Sequence, residues 1–342
     1  MITGLVLVAG CGGGDADKTN AAATAPGAAP PAPGYAGQLE QTYEQVVKTV
    51  LPSVVQIDTD SGLGSGVIYD NKGDIVTNAH VVAGANRLKV TTATGKKALP
   101  AQLIGQYAPD DLAVVRVSDG SLKPAHFGDS SRLTVGQIVL AMGNPLGLSG
   151  SVTNGIVSAV GRTVSSPREG AFPGATIAGA VQTSAPINPG NSGGALVTLN
   201  NEVIGIPALA ASDPQIGGAA AGIGFAIPSN MVKLIADQLI RSGRVTNSGR
   251  AALGVTIRNV ADLAGNVIGV GVVSVTKGGP ADRAGIRPND VIVSVNGTKT
   301  PTTAELSDVL AVLKPGDKAQ VVVQHPDGSK TTTAVTLGQL PG

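Results

Sequence analysis

Short runs of Val, Ile and Leu, each cut off by Gly, Pro, Asp or Asn, limit what this chain can fold into. Forty-eight glycines and 22 prolines punctuate its 342 residues. That spacing breaks up helices and suits many short strands joined by tight turns, as in an antiparallel barrel or sandwich. Tryptophan is absent, with only three phenylalanines and four tyrosines, so the core must be built largely from Val, Ile, Leu and Ala. Strand-like runs fall at 53–59, 65–70, 75–78, 87–93 and 112–117, and again at 137–141, 152–161, 180–183, 195–198, 202–206 and 222–227. Helical spacing is confined to Leu39, Tyr43, Val46, Val47 and Val50 before Pro52, to Met231, Leu234, Ile235 and Leu239 within 229–242, and to Leu306, Val309, Leu310 and Leu313 within 303–313. Segments 162–179 and 207–222 lack periodicity and are expected to be long loops.

Charge and cysteine content exclude several classes. Twenty-four basic against 23 acidic residues leave a formal charge of +1. With no Lys/Arg stripe and few aromatics to stack bases, nucleic acid is not an expected partner. Three scattered histidines and no His-Glu-x-x-His make no metal site, and no cofactor is expected. The one cysteine, Cys11, follows Leu5-Val6-Leu7-Val8-Ala9-Gly10. This apolar segment is too short to span a bilayer and reads as signal-peptide material. Val8-Ala9-Gly10-Cys11 resembles a bacterial lipobox, although no basic stretch precedes it. Residues 1–11 are therefore expected to be a signal-like segment lipidated at Cys11, placing the protein in the bacterial cell envelope. A secreted or periplasmic form is the alternative. Residues 12–37 are mostly Gly, Ala, Pro, Asp and Thr without apolar periodicity, a flexible spacer.

Chemistry concentrates in Asn188-Pro189-Gly190-Asn191-Ser192-Gly193-Gly194. A serine among glycines sits where the backbone bends sharply and other groups approach closely. It suits a nucleophile whose neighbouring N–H groups face a developing oxyanion. Its base is expected to be His80, where the strand-like Ile75-Val76-Thr77 gives way to Asn78-Ala79. His126 and His325, in turn-like contexts, read as surface residues. A carboxylate must hold the imidazole tautomer. Asp111, abutting the apolar Leu112-Ala113-Val114-Val115, is the candidate and Asp110 the fallback. The order His, Asp, Ser is that of chymotrypsin-like double barrels.

Gly64-Ser65-Gly66-Val67-Ile68, Thr77-Asn78-Ala79-His80-Val81, Asp111-Leu112-Ala113-Val114, Ala141-Met142-Gly143-Asn144-Pro145, Gly190-Asn191-Ser192-Gly193-Gly194 and Gly224-Phe225-Ala226-Ile227-Pro228-Ser229 resemble, in order, the signature blocks of the HtrA (high-temperature-requirement, Deg) serine proteases. The likeness covers roughly residues 40–340. It implies a mainly β fold: a chymotrypsin-like double β-barrel protease domain over 38–245, with His80, Asp111 and Ser192 as the triad. The oxyanion donors would be the Gly190 and Ser192 N–H groups. A homotrimer assembled through the protease domains is implied by the same analogy. Ser184 stands where that family usually has aspartate.

Residues 250–338 are similar to a bacterial PDZ domain, through Gly269-Val270-Gly271-Val272-Val273, the run from Gly279 to Ile292, and Val295-Asn296-Gly297. Asn289 replaces a usual glycine and can also adopt a left-handed turn. Leu253-Gly254-Val255 is the implied carboxylate loop, receiving peptide C-termini that add a strand. Arg250 reads as a solvated connector residue. At the protease site, Pro186 occupies the position six before the serine, where trypsin-like enzymes carry an acid, and no acid lies between Gly170 and Ser192. Ile187 with Phe225, Ala226 and Ile227 is expected to line a modest apolar pocket. The expected activity is a PDZ-regulated serine endopeptidase that cleaves unfolded or damaged proteins, with Arg168 and Phe172 as candidate sensors of PDZ occupancy. A non-proteolytic chaperone or scaffold is the alternative.

Overall fold

The computed structural model describes residues 34–340, apart from 61, 93–97, 119–121, 145–149, 167, 189, 214–217 and 262–266, with backbone only at 209–213, 218–221 and 268. Cys11 and most of the spacer lie outside the described residues. The chain divides into two units, residues 1–41 and 42–342. The described part of the first is the opening of helix α1 (Tyr35–Val50), which begins before the expected Gln38.

Six antiparallel strands close the first barrel in the order β1-β2-β3-β6-β5-β4. They are β1 (Val54–Thr59), β2 (Leu63–Ile68), β3 (Asp74–Thr77), β4 (Leu88–Thr92), β5 (Leu99–Tyr107) and β6 (Leu112–Val117). Alternation assigns each face. Ala113, Val115 and Val117 of β6 pack with Val55, Ile57, Ile68 and Ile75, whereas Leu112 and Val114 face a second cluster. Strand β5 is the one the sequence conceals. Pro100 and Gly105 interrupt its pattern, and a register shift between Leu103 and Gly105 bends it. A Cβ at Gly105 would lie 2.7 Å from the Gly243 carbonyl oxygen.

The second sheet contains β7 (His126–Phe127), β8 (Ile138–Gly143), β9 (Ser151–Ser166), β10 (Ala175–Thr183), β11 (Ala195–Thr198), β12 (Glu202–Asp213) and β13 (Gly218–Pro228). Its order is β11-β8-β9-β10-β13-β12-β7, and a β11–β12 pairing closes the ring. The two expected long loops are instead hairpin arms. Ala175 pairs with Ser166, Thr176 with Ser165 and Ile177 with Val164, and β12 pairs with β13 as far as Asp213 and Gly218. Both ladders carry register shifts, which erase the period-two signal that would mark a strand.

Between the two β layers lies the largest core. Val46 and Val50 of α1 enter it, as do Val232, Ile235, Ala236 and Leu239 of helix α3 (Ser229–Ser242). Helix α3 matches the expected span and stops at Gly243, in the left-handed conformation at φ +70, whose N–H donates to the Leu239 carbonyl at 2.8 Å.

Residues 251–339 build a separate core around Val270, Ile292, Val295, Leu306, Val321 and Val335. Strands β15 (Val255–Ala261), β16 (Val267–Val275), β17 (Val291–Val295), β19 (Lys318–Gln324) and β20 (Lys330–Thr336) form its sheet, with β18 (Thr298–Lys299) on β17. A two-stranded piece, β14 (Ala251–Ala252) with β21 (Gly338–Gln339), ties its ends together. Helix α4 (Pro280–Arg283) is short, and α5 (Thr303–Ala311) starts with a Thr302–Glu305 capping box. Asn289 does adopt the left-handed conformation, at φ +74.

Leu239 is fully buried and joins α3 to the main core. Leu239→Ala is expected to lower stability by about 2–5 kcal/mol, read as a fall in denaturant midpoint at unchanged m-value.

Candidate active site

Strand β3 ends at Thr77, and its chain turns into the short helix α2 (Ala79–Val82), which carries His80. Asp111 sits between β5 and β6, buried and in the left-handed conformation at φ +52, a region that aspartate tolerates better than most residues. One residue thus holds the whole turn. Its Oδ2 lies 2.7 Å from His80 Nδ1 and its Oδ1 accepts the His80 backbone N–H at 2.9 Å. Its carbonyl accepts the Ala79 N–H at 3.1 Å and Asn78 Nδ2 at 3.0 Å. The structure distinguishes the two adjacent acids: Asp111 pairs with the imidazole, and Asp110 turns elsewhere.

Ser192 reaches the same place from the second barrel. Its carbonyl accepts the Ser65 N–H at 2.9 Å. A Cβ at Gly193, where φ is +81, would lie 2.1 Å from the Ser65 oxygen and 2.5 Å from Thr77 Oγ1, so only glycine permits this approach. The nucleophile loop therefore docks on β2 and on the strand that leads to His80. Ser192 is half-buried. No hydrogen bond joins its Oγ to His80 or to another described residue.

The N–H groups of the loop are mostly committed. Asn191 donates to the Asn188 carbonyl (3.0 Å), Gly193 to Pro207 (3.0 Å) and Gly194 to Asn191 (2.9 Å). Gly190 and Ser192 donate to no other described residue, and these are the two expected oxyanion donors. Ser65, whose linking role the sequence did not disclose, fixes the loop. Its hydroxyl donates to the Gly190 carbonyl at 2.5 Å and accepts the Asn144 N–H at 2.8 Å. The only advance signal was a hydroxyl between two glycines in an otherwise apolar strand. Ser184, the departure from the family pattern, accepts the Ile156 N–H at 3.0 Å through its hydroxyl.

The four expected pocket residues do not share one face. Ile187 and Ala226 pack together with Val181, Ala185 and Leu196. Phe225 and Ile227, one position either side of Ala226, face the main core because side chains alternate along a strand. A Cβ at Gly224 would lie 2.4 Å from Ile187 Cγ1, so Gly224 rather than Phe225 or Ile227 adjoins Ile187.

Leu253, Gly254 and Val255 line a cavity of about 480 Å³ with Ile257, Leu306 and Leu310. Strand β15 forms one edge of its sheet. Gly254 has φ +73, and a Cβ there would lie 3.0 Å from Pro280. Arg250 lines the same cavity, but it is not solvated. Its side chain is 8% exposed and its Nη1 donates to Asp110 Oδ1 at 3.0 Å and to the Pro109 carbonyl at 2.6 Å. Desolvation pushes the Asp110 carboxyl up to about 6, with Arg250 opposing. His325 also departs from the surface expectation, with Nδ1 2.8 Å from buried Asp290 and Nε2 2.9 Å from Thr331 Oγ1. His126 is exposed. Among the described residues there is no cluster able to hold a metal ion, and no helix is long and apolar enough to cross a membrane.

Residues 64–206 match the trypsin-like peptidase domain family and residues 251–337 the PDZ domain family. The serine protease PepD of Mycobacterium tuberculosis is 38% identical over 364 residues, covering 99% of this chain and 76% of PepD. The solved structure of the HtrA-type protease AlgW with a decapeptide is 31% identical with a TM-score of 0.58, covering 88% of this chain and 99% of AlgW. The chain belongs to the HtrA-type serine proteases. A probable periplasmic serine endoprotease of Chlamydia trachomatis, DegP-like, is 38% identical over 288 residues, 82% of this chain and 55% of that protein. The chain is therefore a serine endopeptidase by family, although it spans only about half the length of that relative.

Asp110 offers a pH test. Its folded carboxyl binds protons more tightly than the ordinary value of 3.8, so the folded chain holds a proton that the unfolded chain has lost. The contribution of Asp110 to stability falls as pH rises from about 4 to about 6. Arg250→Ala removes the opposing charge and moves the upper end of that window higher. The variant is expected to lose stability relative to wild type progressively above pH 6, seen as a widening gap in melting temperature.

Proposed function

We propose that Ser192, His80 and Asp111 hydrolyse peptide bonds by acyl transfer. Ser192 Oγ attacks the substrate carbonyl carbon while His80 Nε2 takes the hydroxyl proton, and Asp111 stabilises the resulting imidazolium through Nδ1. The carbonyl oxygen becomes an oxyanion held by the Gly190 and Ser192 N–H groups. His80 then gives its proton to the departing amine as the C–N bond breaks. Water, deprotonated by His80, releases the acyl group and restores the Ser192 hydroxyl. The observation that carries this reading is the double hold of Asp111 on His80, 2.7 Å to the ring and 2.9 Å to the backbone.

The apolar cluster at Ile187, Gly224 and Ala226 is the proposed seat of the substrate side chain. Val, Leu, Ile or Ala fit it, and the absence of an acid disfavours Lys and Arg. Unfolded or damaged proteins expose such residues, which supports a quality-control role. The cavity at Leu253, Gly254 and Val255 is the proposed seat for a peptide C-terminus, its backbone extending β15. Coupling between the two sites has a physical carrier. Asp308 of α5 accepts the Ser165 hydroxyl of β9 at 2.8 Å, and the hairpin that Ser165 belongs to carries Phe172 to the imidazole. An extracytoplasmic bacterial location, anchored through a lipid on Cys11, rests on the lipobox-like segment and on the periplasmic relative. The homotrimer rests on family analogy. A purely chaperone or scaffold role is not favoured, since the relatives are named as proteases.

A fluorophosphonate probe is expected to label wild type and spare Ser192→Ala, with the fold unchanged by circular dichroism. Asp111→Asn should keep the fold and lower kcat by about 10⁴-fold. Labelling of Ser192→Ala at the wild-type rate would overturn the assignment.

A further inference from the structure

One side chain at the site has no part in the mechanism above. Phe172, between β9 and β10, lies edge-on to the His80 ring, with centroids 5.9 Å apart and planes at 64°. It is 4% exposed and packs with Ala79 and Val82 beside the first barrel and with Ala175 of β10. Its segment is built to sit there. Glu169 and Phe172 exchange both backbone hydrogen bonds, at 3.0 and 2.8 Å, closing a turn through Gly170 at φ +54. The next residue toward the tip, Ala171, seats on Gly84, where a Cβ would lie 2.9 Å from the Ala171 Cβ. At the base, Ser166 Oγ accepts the Ala175 N–H at 3.1 Å, and the Ser165 and Thr176 hydroxyls lie 3.0 Å apart. An aromatic ring held this firmly is a fixed wall beside the imidazole.

An extended substrate alternates its side chains. With the residue whose carbonyl is attacked pointing to the apolar cluster at Ile187, Gly224 and Ala226, the residue before it projects to the opposite side, over the imidazole. Phe172 packs edge-on against that ring. We propose that Phe172 determines specificity at this second position through its packing against the His80 ring, so that the protease accepts small residues there, such as Ala, Ser or Gly, and rejects large ones. This rests on the active-site reading above. Phe172 touches the base and restricts the substrate, and it carries no proton and forms no bond.

The test uses the full chain and internally quenched peptides that share a Val at the cleaved position and differ only in the residue before it: Ala, Leu or Phe. Wild type is expected to cleave the Ala peptide about tenfold faster, in kcat/KM, than the Phe peptide. Phe172→Ala should bring the three within about twofold of one another or reverse their order. Phe172→Leu, which keeps an apolar filler, should fall between. Titration with the fluorophosphonate counts active sites in each variant, so loss of folded enzyme is separated from changed preference. If both variants keep the wild-type order and ratios per titrated site, or if wild type itself prefers the Phe peptide, the proposal is overturned. A wild type that neither labels nor cleaves overturns the active-site reading itself, a separate outcome.

Discussion

The active site depends on one buried carboxylate. Asp111 is 1% exposed and meets four donors, among them the imidazole Nδ1 and the backbone N–H of His80. The two from His80 reach the carboxylate, as a buried acid requires, and those from Ala79 and Asn78 reach its carbonyl. The arrangement fixes more than the ring. By binding the backbone at Ala79 and His80, Asp111 sets the turn from which the imidazole projects, so position and tautomer have a common cause. Its left-handed backbone is the local strain that places the carboxylate under the ring.

The nucleophile comes from another sheet, and its register relative to His80 is set through close backbone approach. Ser65 lies at the centre, donating to Gly190, accepting from Asn144 and bonding the Ser192 carbonyl through its own N–H. Gly193 makes the approach sterically possible. The Asn191, Gly193 and Gly194 N–H groups are engaged, and those of Gly190 and Ser192 donate to no other described residue. A site assembled from two barrels thus behaves as one unit, because the segment carrying the serine is bonded to the strands that carry the base.

Much of this was legible in the chain. Period-two runs located most strands, helical spacing located α3 and α5, and glycine around Ser192 marked a sharply bent loop, since each signal is local. What escaped was non-local. Strand β5 was masked by Pro100 and a bulge at Gly105, and the hairpin arms at 162–179 and 207–222 by register shifts. Phe225 and Ile227 were grouped with Ala226 because all lie in one apolar strand, and only the strand's alternation against two cores separates them. Arg250 looked solvated in a polar connector, yet its guanidinium is buried against Asp110. Its partner lies 140 residues away, a distance over which no local pattern operates.

That last contact joins the cavity at Leu253–Val255 to the residue preceding Asp111, alongside the Ser165–Asp308 bond and the Phe172 hairpin, so the second domain touches the protease domain close to His80. The central claim remains that Asp111 holds neutral His80 protonated at Nδ1, leaving Nε2 free to take the Ser192 proton. Nitrogen-15 NMR of the labelled imidazole at neutral pH reads this directly. The account predicts an Nδ1–H tautomer for His80 in wild type that is lost in Asp111→Asn. A wild-type His80 protonated at Nε2 instead, or one whose tautomer ignores the substitution, would contradict it.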